Sequence, residues 1–256
     1  LNFMKNFLTR KLLPDDIDLL ARQQLHDYKN RRPGNCFADP DFEMDIQSAY
    51  KLQDAVAKLR QEEGDTVAGY KIGCIGGDIK TQFGIEGPVR GTLFLSELFR
   101  DGEGLNSESF ANLAVEAEMA FSLLDGGQID RIFPVIELHN LVFRGLKKSL
   151  PELIANNCIN AGVVVPTNEV ENVTEASEIT LQINEQRYST NEIWPINNTP
   201  NGSLGWLQKN LKSYALSAKS GHMVLAGTSL GLYPVKAGDT VTVFLNGKAM
   251  VKCNVH

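Results

Sequence analysis

The 256-residue sequence predicts an α+β fold, with a largely helical N-terminal region over residues 1–65 followed by one compact, β-rich unit over residues 66–256. Apolar residues recur at helical spacing in the first quarter of the chain. From Thr66 onward, short apolar runs alternate with glycine-containing turns. A chain of this length with 43% hydrophobic residues can bury a large core, roughly three quarters of its unfolded surface.

Composition narrows the partners. The net charge of −6 and the lack of a basic stripe argue against a nucleic-acid surface. No apolar run approaches the ~18 residues of a membrane span, so a soluble, cytoplasmic location is expected. Cys36, Cys74, Cys158 and Cys253 are widely spaced and form no Cys-x-x-Cys pair, which reads as four reduced thiols.

The basic, amphipathic stretch from Leu1 to Leu13 lacks the continuous apolar core and cleavage site of a secretory signal. Pro14-Asp15-Asp16 opens a helix ending near Asn30, and loops at Arg31–Gly34 and Ala38–Asp41 lead to a second helix from Asp45. Strands are predicted at Val67–Cys74 and Gly91–Leu95. Further strands are expected at Ala114–Leu124, Phe133–His139 and Met223–Gly231, with hairpins near Ile179–Tyr188 and Gly238–Lys248. A turn enters a strand near Val163, and Ser203–Leu211 has helical spacing.

The strand Ala114–Phe121 carries Glu116 and Glu118 two residues apart, hence on one face, among apolar neighbours. Glu137 repeats the pattern on a later strand. Three carboxylates suit a hard divalent cation such as Mg2+ or Mn2+; the other reading is a solvated face or pairing with lysine and arginine. Lys71, inside an apolar strand, is either a snorkelling amine or a buried one tuned for proton transfer. His139 stands alone, which reads as structural.

Taken together, Asp45–Gln53, Gly69-Tyr70-Lys71-Ile72-Gly73, Gly91-Thr92-Leu93-Phe94, Val115–Phe121 and Pro134–Leu138 form an ordered set. With Asn157, Asn160-Ala161-Gly162, Trp206-Leu207, Ala226-Gly227 and Pro234–Asp239, this set resembles the 2-keto-4-pentenoate hydratase and 4-oxalocrotonate decarboxylase family of the fumarylacetoacetate hydrolase superfamily. The resemblance implies a mixed β-sandwich roll with N-terminal helices, homo-oligomeric assembly, and Mg2+ or Mn2+ held by Glu116, Glu118 and Glu137. It implies Lys71 as the acid/base residue and a small 2-oxo or 2-hydroxy-dienoic acid as substrate. Thr228 and Ser229 are expected to bind the substrate carboxylate, and Arg90 to meet a second one.

The sequence also departs from the family pattern. Pro88-Val89-Arg90-Gly91 lacks the usual loop acid, Ile75-Gly76 replaces hydroxyl donors, and Asn140, Val142 and Asn156 stand where acidic or basic residues are usual. Three readings follow: a hydratase giving a 4-hydroxy-2-oxo acid, a decarboxylase or carbon–carbon hydrolase on the same platform, and a catalytically weak partner subunit.

Overall fold

The computed structural model describes residues 14–32, 44–75, 87–141, 149–167, 173–174 and 176–256. The segment Leu1–Leu13, Cys36, the second predicted loop, Gly76 and Val142 lie outside these residues.

Helix α1 (Pro14–Lys29) and helix α2 (Ile46–Glu62) begin where predicted. Asp45 caps α2 by accepting the Ser48 N–H, satisfying a donor the first turn leaves unpaired. The strands are β1 (Val67–Gly73), β2 (Val89–Phe94), β3 (Leu98–Arg100), β4 (Gly104–Leu105), β5 (Leu113–Leu123), β6 (Ile129–Asn140) and β7 (Asn160–Val165). They continue as β8 (Ile179–Ile183), β9 (Gln186–Thr190), β10 (Met223–Leu225), β11 (Tyr233–Pro234), β12 (Thr240–Leu245) and β13 (Lys248–Val255). Helix α3 (Leu150–Ala155) precedes β7, and helix α4 (Pro200–Ser213) precedes β10. The predicted strand at Met223–Gly231 ends at Leu225, and the chain then leaves the ladder as a loop.

Two sheets form. The larger has the order β2-β1-β10-β5-β6-β7-β3, with β11 also paired to β5; the smaller has the order β4-β13-β12-β8-β9. Both parallel and antiparallel neighbours occur, as a mixed sheet requires. Alternation along β5 separates two environments. Val115, Ala117, Met119 and Phe121 share a core with Leu181, Val241, Val243, Val251 and Cys253 of the smaller sheet. Glu116 and Glu118 face the other way.

Part of that other face is covered by helices. Leu20, Ala21, Ala49, Leu52, Leu153 and Ile154 pack with Val89 of β2, Cys158 and Ile159. The amide of Gln53 donates to the Arg90 and Ile154 carbonyls, 2.9 and 2.8 Å away, joining α2 to β2 and α3. The carboxylate-bearing face of the large sheet is therefore interior.

Candidate active site

Strand pairing assembles the site. β5 and β6 are an antiparallel hairpin joined through a tight turn at Asp125–Gly127, and their register sets Glu116 directly opposite Glu137 and Ala114 opposite His139. On the other flank of β5, β10 pairs at Ala120–Ser122 and β11 at Ala114–Val115. The loop between β10 and β11 therefore passes the stretch holding Glu116 and Glu118. There the Gly227 N–H donates to the Glu118 carboxyl. Gly227 has φ +95°, a conformation glycine adopts without steric cost.

Lys71 reaches the cluster from β1. Its Nζ lies 2.6 Å from Glu137 Oε1 and 3.4 Å from the Cys158 carbonyl. Gly91, paired with Lys71 across the β1–β2 ladder, leaves room for it: a Cβ at 91 would sit 2.8 Å from Lys71 Cγ and 2.9 Å from the Asn157 carbonyl. That carbonyl belongs to an unusual turn. Asn157, Cys158 and Ile159 all have left-handed backbone, with φ of 54°, 51° and 55°. Such angles cost roughly 1–2 kcal/mol per non-glycine residue. The Asn157 side chain offsets this by accepting the Thr92 N–H at 2.7 Å and donating to the Thr92 carbonyl at 2.8 Å.

His139, which reads as structural in the sequence, stands among the carboxylates. Its Nε2 stands 3.0 Å from Glu116 Oε2 and 3.2 Å from Glu137 Oε2. Donor atoms of Glu116, Glu137 and His139 all lie within 4.8 Å of one another. Glu118 is outside that group, its carboxyl turned to Gly227. The signal was available: residues 137 and 139 of one strand share a face. Lys71, Glu118, Glu137 and His139 are 1–3% exposed, and the Glu116 side chain is 15% exposed, which puts Glu116 on the solvent side.

The protein's own charges divide the protons unevenly. Burial opposes ionisation of Glu137, but the Lys71 ammonium and His139 prevail and hold it far below the usual carboxylate range. Burial and the neighbouring Glu137 charge push Glu118 well above the usual carboxylate range. Burial pulls Lys71 down, yet Glu137, Cys158 and Glu116 outweigh it and its pKa is raised. A cation beside Lys71 would act the other way, by like charge.

Arg90 is a correction. Its side chain is fully buried and lies on the ladder face opposite Lys71, because Arg90 pairs with Ile72. The guanidinium is 2.9 Å from Asp54 Oδ1 and 3.0 Å from Asn210 Oδ1, among the rings of Tyr50, Tyr70 and Tyr214. It ties helices α2 and α4 to the edge of the sheet and does not join the carboxylate cluster. Thr228 and Ser229 follow Gly227. Thr228 Oγ1 accepts the Leu230 N–H, and Ser229 Oγ lies 3.4 Å from Thr190 Oγ1 on β9.

A mixed sheet backed by a second sheet, with a buried acid–base cluster on its helix-covered face, is the α+β fold expected from the sequence. A solved structure of 4-oxalocrotonate decarboxylase from Pseudomonas putida G7, complexed with magnesium and adipate, superposes with a TM-score of 0.82 at 19% identity. The match covers 97% of this chain and 100% of that one. In sequence, the chain is 25% identical to 2-oxo-hept-4-ene-1,7-dioate hydratase of Escherichia coli over 236 residues, 82% of this chain and 87% of the relative. It is 23% identical to 4-oxalocrotonate decarboxylase of Pseudomonas sp. strain CF600 over 227 residues, covering 82% and 85%. No family model matches the chain. The family resemblance read from the sequence agrees with these relatives, and the chain is an enzyme.

Proposed function

We propose that the chain is a divalent-cation-dependent hydratase that converts a short 2-hydroxy-dienoate to a 4-hydroxy-2-oxo acid. The observation that carries this is the 2.6 Å contact of Lys71 Nζ with Glu137 Oε1 in a buried cluster facing Glu116. Hydratases of such dienoates are among its sequence relatives.

The donor set fits a divalent ion. Two carboxylates and an imidazole converge, and neither His139 nitrogen has a hydrogen-bond partner among the described residues. An ion held by Glu116 and Glu137 would supply Lewis-acid stabilisation of negative charge on the 2-oxygen of the substrate.

The side chains handle protons. In the dienol, the 2-hydroxyl loses a proton and a chain carbon gains one, leaving an unsaturated 2-oxo acid. Lys71 Nζ is the group placed to carry that proton, with Glu137 holding its ammonium in position. Water then adds across the remaining double bond, its oxygen to C4 and its proton to C3. The burial of Glu137 and Lys71 keeps bulk water from their ionised forms. Thr228 and Ser229, next to Gly227, are the hydroxyls proposed for the substrate carboxylate.

One observation favours a second reading. Val89, at the position of the missing loop acid, is buried in the helix-packed cluster and offers nothing to activate water. Decarboxylation of a 2-oxo dicarboxylate needs no such group.

The test is loss of the ultraviolet band of 2-hydroxypenta-2,4-dienoate with Mg2+ or Mn2+, against a chelated control, with carbon dioxide release from 4-oxalocrotonate measured in parallel. Lys71→Ala should slow either reaction by about 10²–10⁴-fold. No turnover of either compound above the chelated control would sink both the hydratase and the decarboxylase readings.

A further inference from the structure

We propose that His139 supplies a nitrogen donor to the cation site, making it a mixed carboxylate–imidazole centre that prefers first-row transition ions such as Mn2+, Ni2+ or Zn2+ over Mg2+. This rests on the reading of the cluster as a cation site.

Position comes first. β6 places His139 two residues after Glu137 on the same face, and the β5–β6 register places Glu116 across from Glu137. The ring is thereby aimed at the space between the two carboxylates. His139 is 3% exposed, and among the described residues neither of its nitrogens has a hydrogen-bond partner. A buried imidazole normally satisfies at least one nitrogen, so an unsatisfied ring calls for an explanation.

The separations supply one. Nε2 lies 3.0 and 3.2 Å from a carboxylate oxygen of Glu116 and of Glu137, respectively, close enough to bond, yet its N–H direction meets neither oxygen. Donors sharing one six-coordinate ion at about 2.1 Å are separated by about 3.0 Å along a cis edge. Each lone pair then points at the ion, between its neighbours. A ring that is near two oxygens and aligned with neither has that geometry.

The donor set decides the ion. Carboxylate oxygens alone suit Mg2+, Ca2+ and Mn2+, whereas imidazole favours later transition ions. Glu118 accepts the Gly227 N–H and bonds to Glu137, and it falls outside the donor group, so an imidazole takes the place of a third carboxylate.

The test is pulsed electron paramagnetic resonance on the Mn2+-loaded protein, which detects nitrogen bound to the ion, together with calorimetric titration of Ni2+ and Mg2+. The wild-type protein should show imidazole nitrogen modulation, altered by 15N-histidine labelling. The other histidines, His26, His222 and His256, lie outside the cluster, so the wild-type signal can be assigned without a variant. His139→Gln should retain bound Mn2+ without the modulation. Its Ni2+ affinity should fall by at least the roughly 10-fold typical of losing even an outer-shell partner, with Mg2+ changed less. Bound Mn2+ with no nitrogen signal in the wild type, or a signal persisting in His139→Gln, overturns this proposal and leaves the hydratase reading standing. Failure of the wild type to bind any of these ions removes both.

Discussion

At the scale of single residues, the site depends on one asparagine that touches no proposed ligand. Asn157 uses both ends of its side-chain amide on the Thr92 backbone, extending the ladder at the free edge of β2. That anchor holds three consecutive left-handed residues, and their turn brings the Cys158 carbonyl to Lys71 Nζ. Ile159 is the unexpected member, since a β-branched residue with positive φ persists only where surroundings enforce it. Asn157→Leu removes both bonds and leaves Thr92 groups unpaired. The expected loss is about 2–4 kcal/mol of stability by urea denaturation, and a kcat reduced more than KM, because Lys71 loses its register while Glu116 and Glu137 keep theirs. An unchanged kcat in the folded variant would show that the turn does not position the lysine.

At the scale of elements, the junction of α2, β1 and the turn after β2 is fastened by charge. Arg60 on α2 pairs with Asp65 at 2.7 Å and Glu97 at 2.8 Å, and Ser96 Oγ donates to Asp65 at 2.8 Å. Burial works against ionised Asp65, but hydrogen bonds from Ser96, Arg60 and the Thr66 N–H prevail and lower its pKa. A folded pKa below the unfolded one gives stability that is complete above about pH 4 and is lost as pH falls toward the folded value. Asp65→Asn should therefore cost about 1–3 kcal/mol at pH 7. The gap from wild type should narrow as pH falls below the unfolded value of about 4 in denaturation curves; a gap independent of pH would mean that packing, not ionisation, is lost. This junction also marks what the sequence could reveal. The 3.6-residue and two-residue periodicities located both early helices and nearly every strand, and alternation put Glu116 and Glu118 on one face. Register was beyond them. That Glu116 opposes Glu137 depends on the Asp125–Gly127 turn and a shift between Phe121 and Leu123. That Arg90 points away from Lys71 depends on the β1–β2 pairing. Both are contacts between distant residues that no local period encodes. His139 was legible by parity with Glu137, but a lone histidine carries too little signal until the opposing carboxylate is known.

At the scale of the whole molecule, the cluster is a buried concentration of ionisable groups in an acidic chain, and folding must hold it together. Glu116, Glu137 and His139 come from two strands, while Lys71 comes from a third, so the unfolded chain has no comparable binding site. A cation that binds the native state then stabilises it by mass action, about 2.7 kcal/mol at one hundred times Kd. For a chain of this size, that corresponds to a rise in Tm of roughly 5–11 °C. The helices should share the shift. Gln53 bridges β2 and α3, and Arg90 is paired to Asp54, so helix α2 gains from whatever fixes the sheet. Scanning calorimetry with Mn2+ and then excess chelator should show one transition that rises and returns, and Glu137→Gln should abolish the rise. Two transitions, with only the later one responding to Mn2+, would mean instead that the helices and the β-rich unit unfold separately and that the cation's stabilisation stops at the sheet.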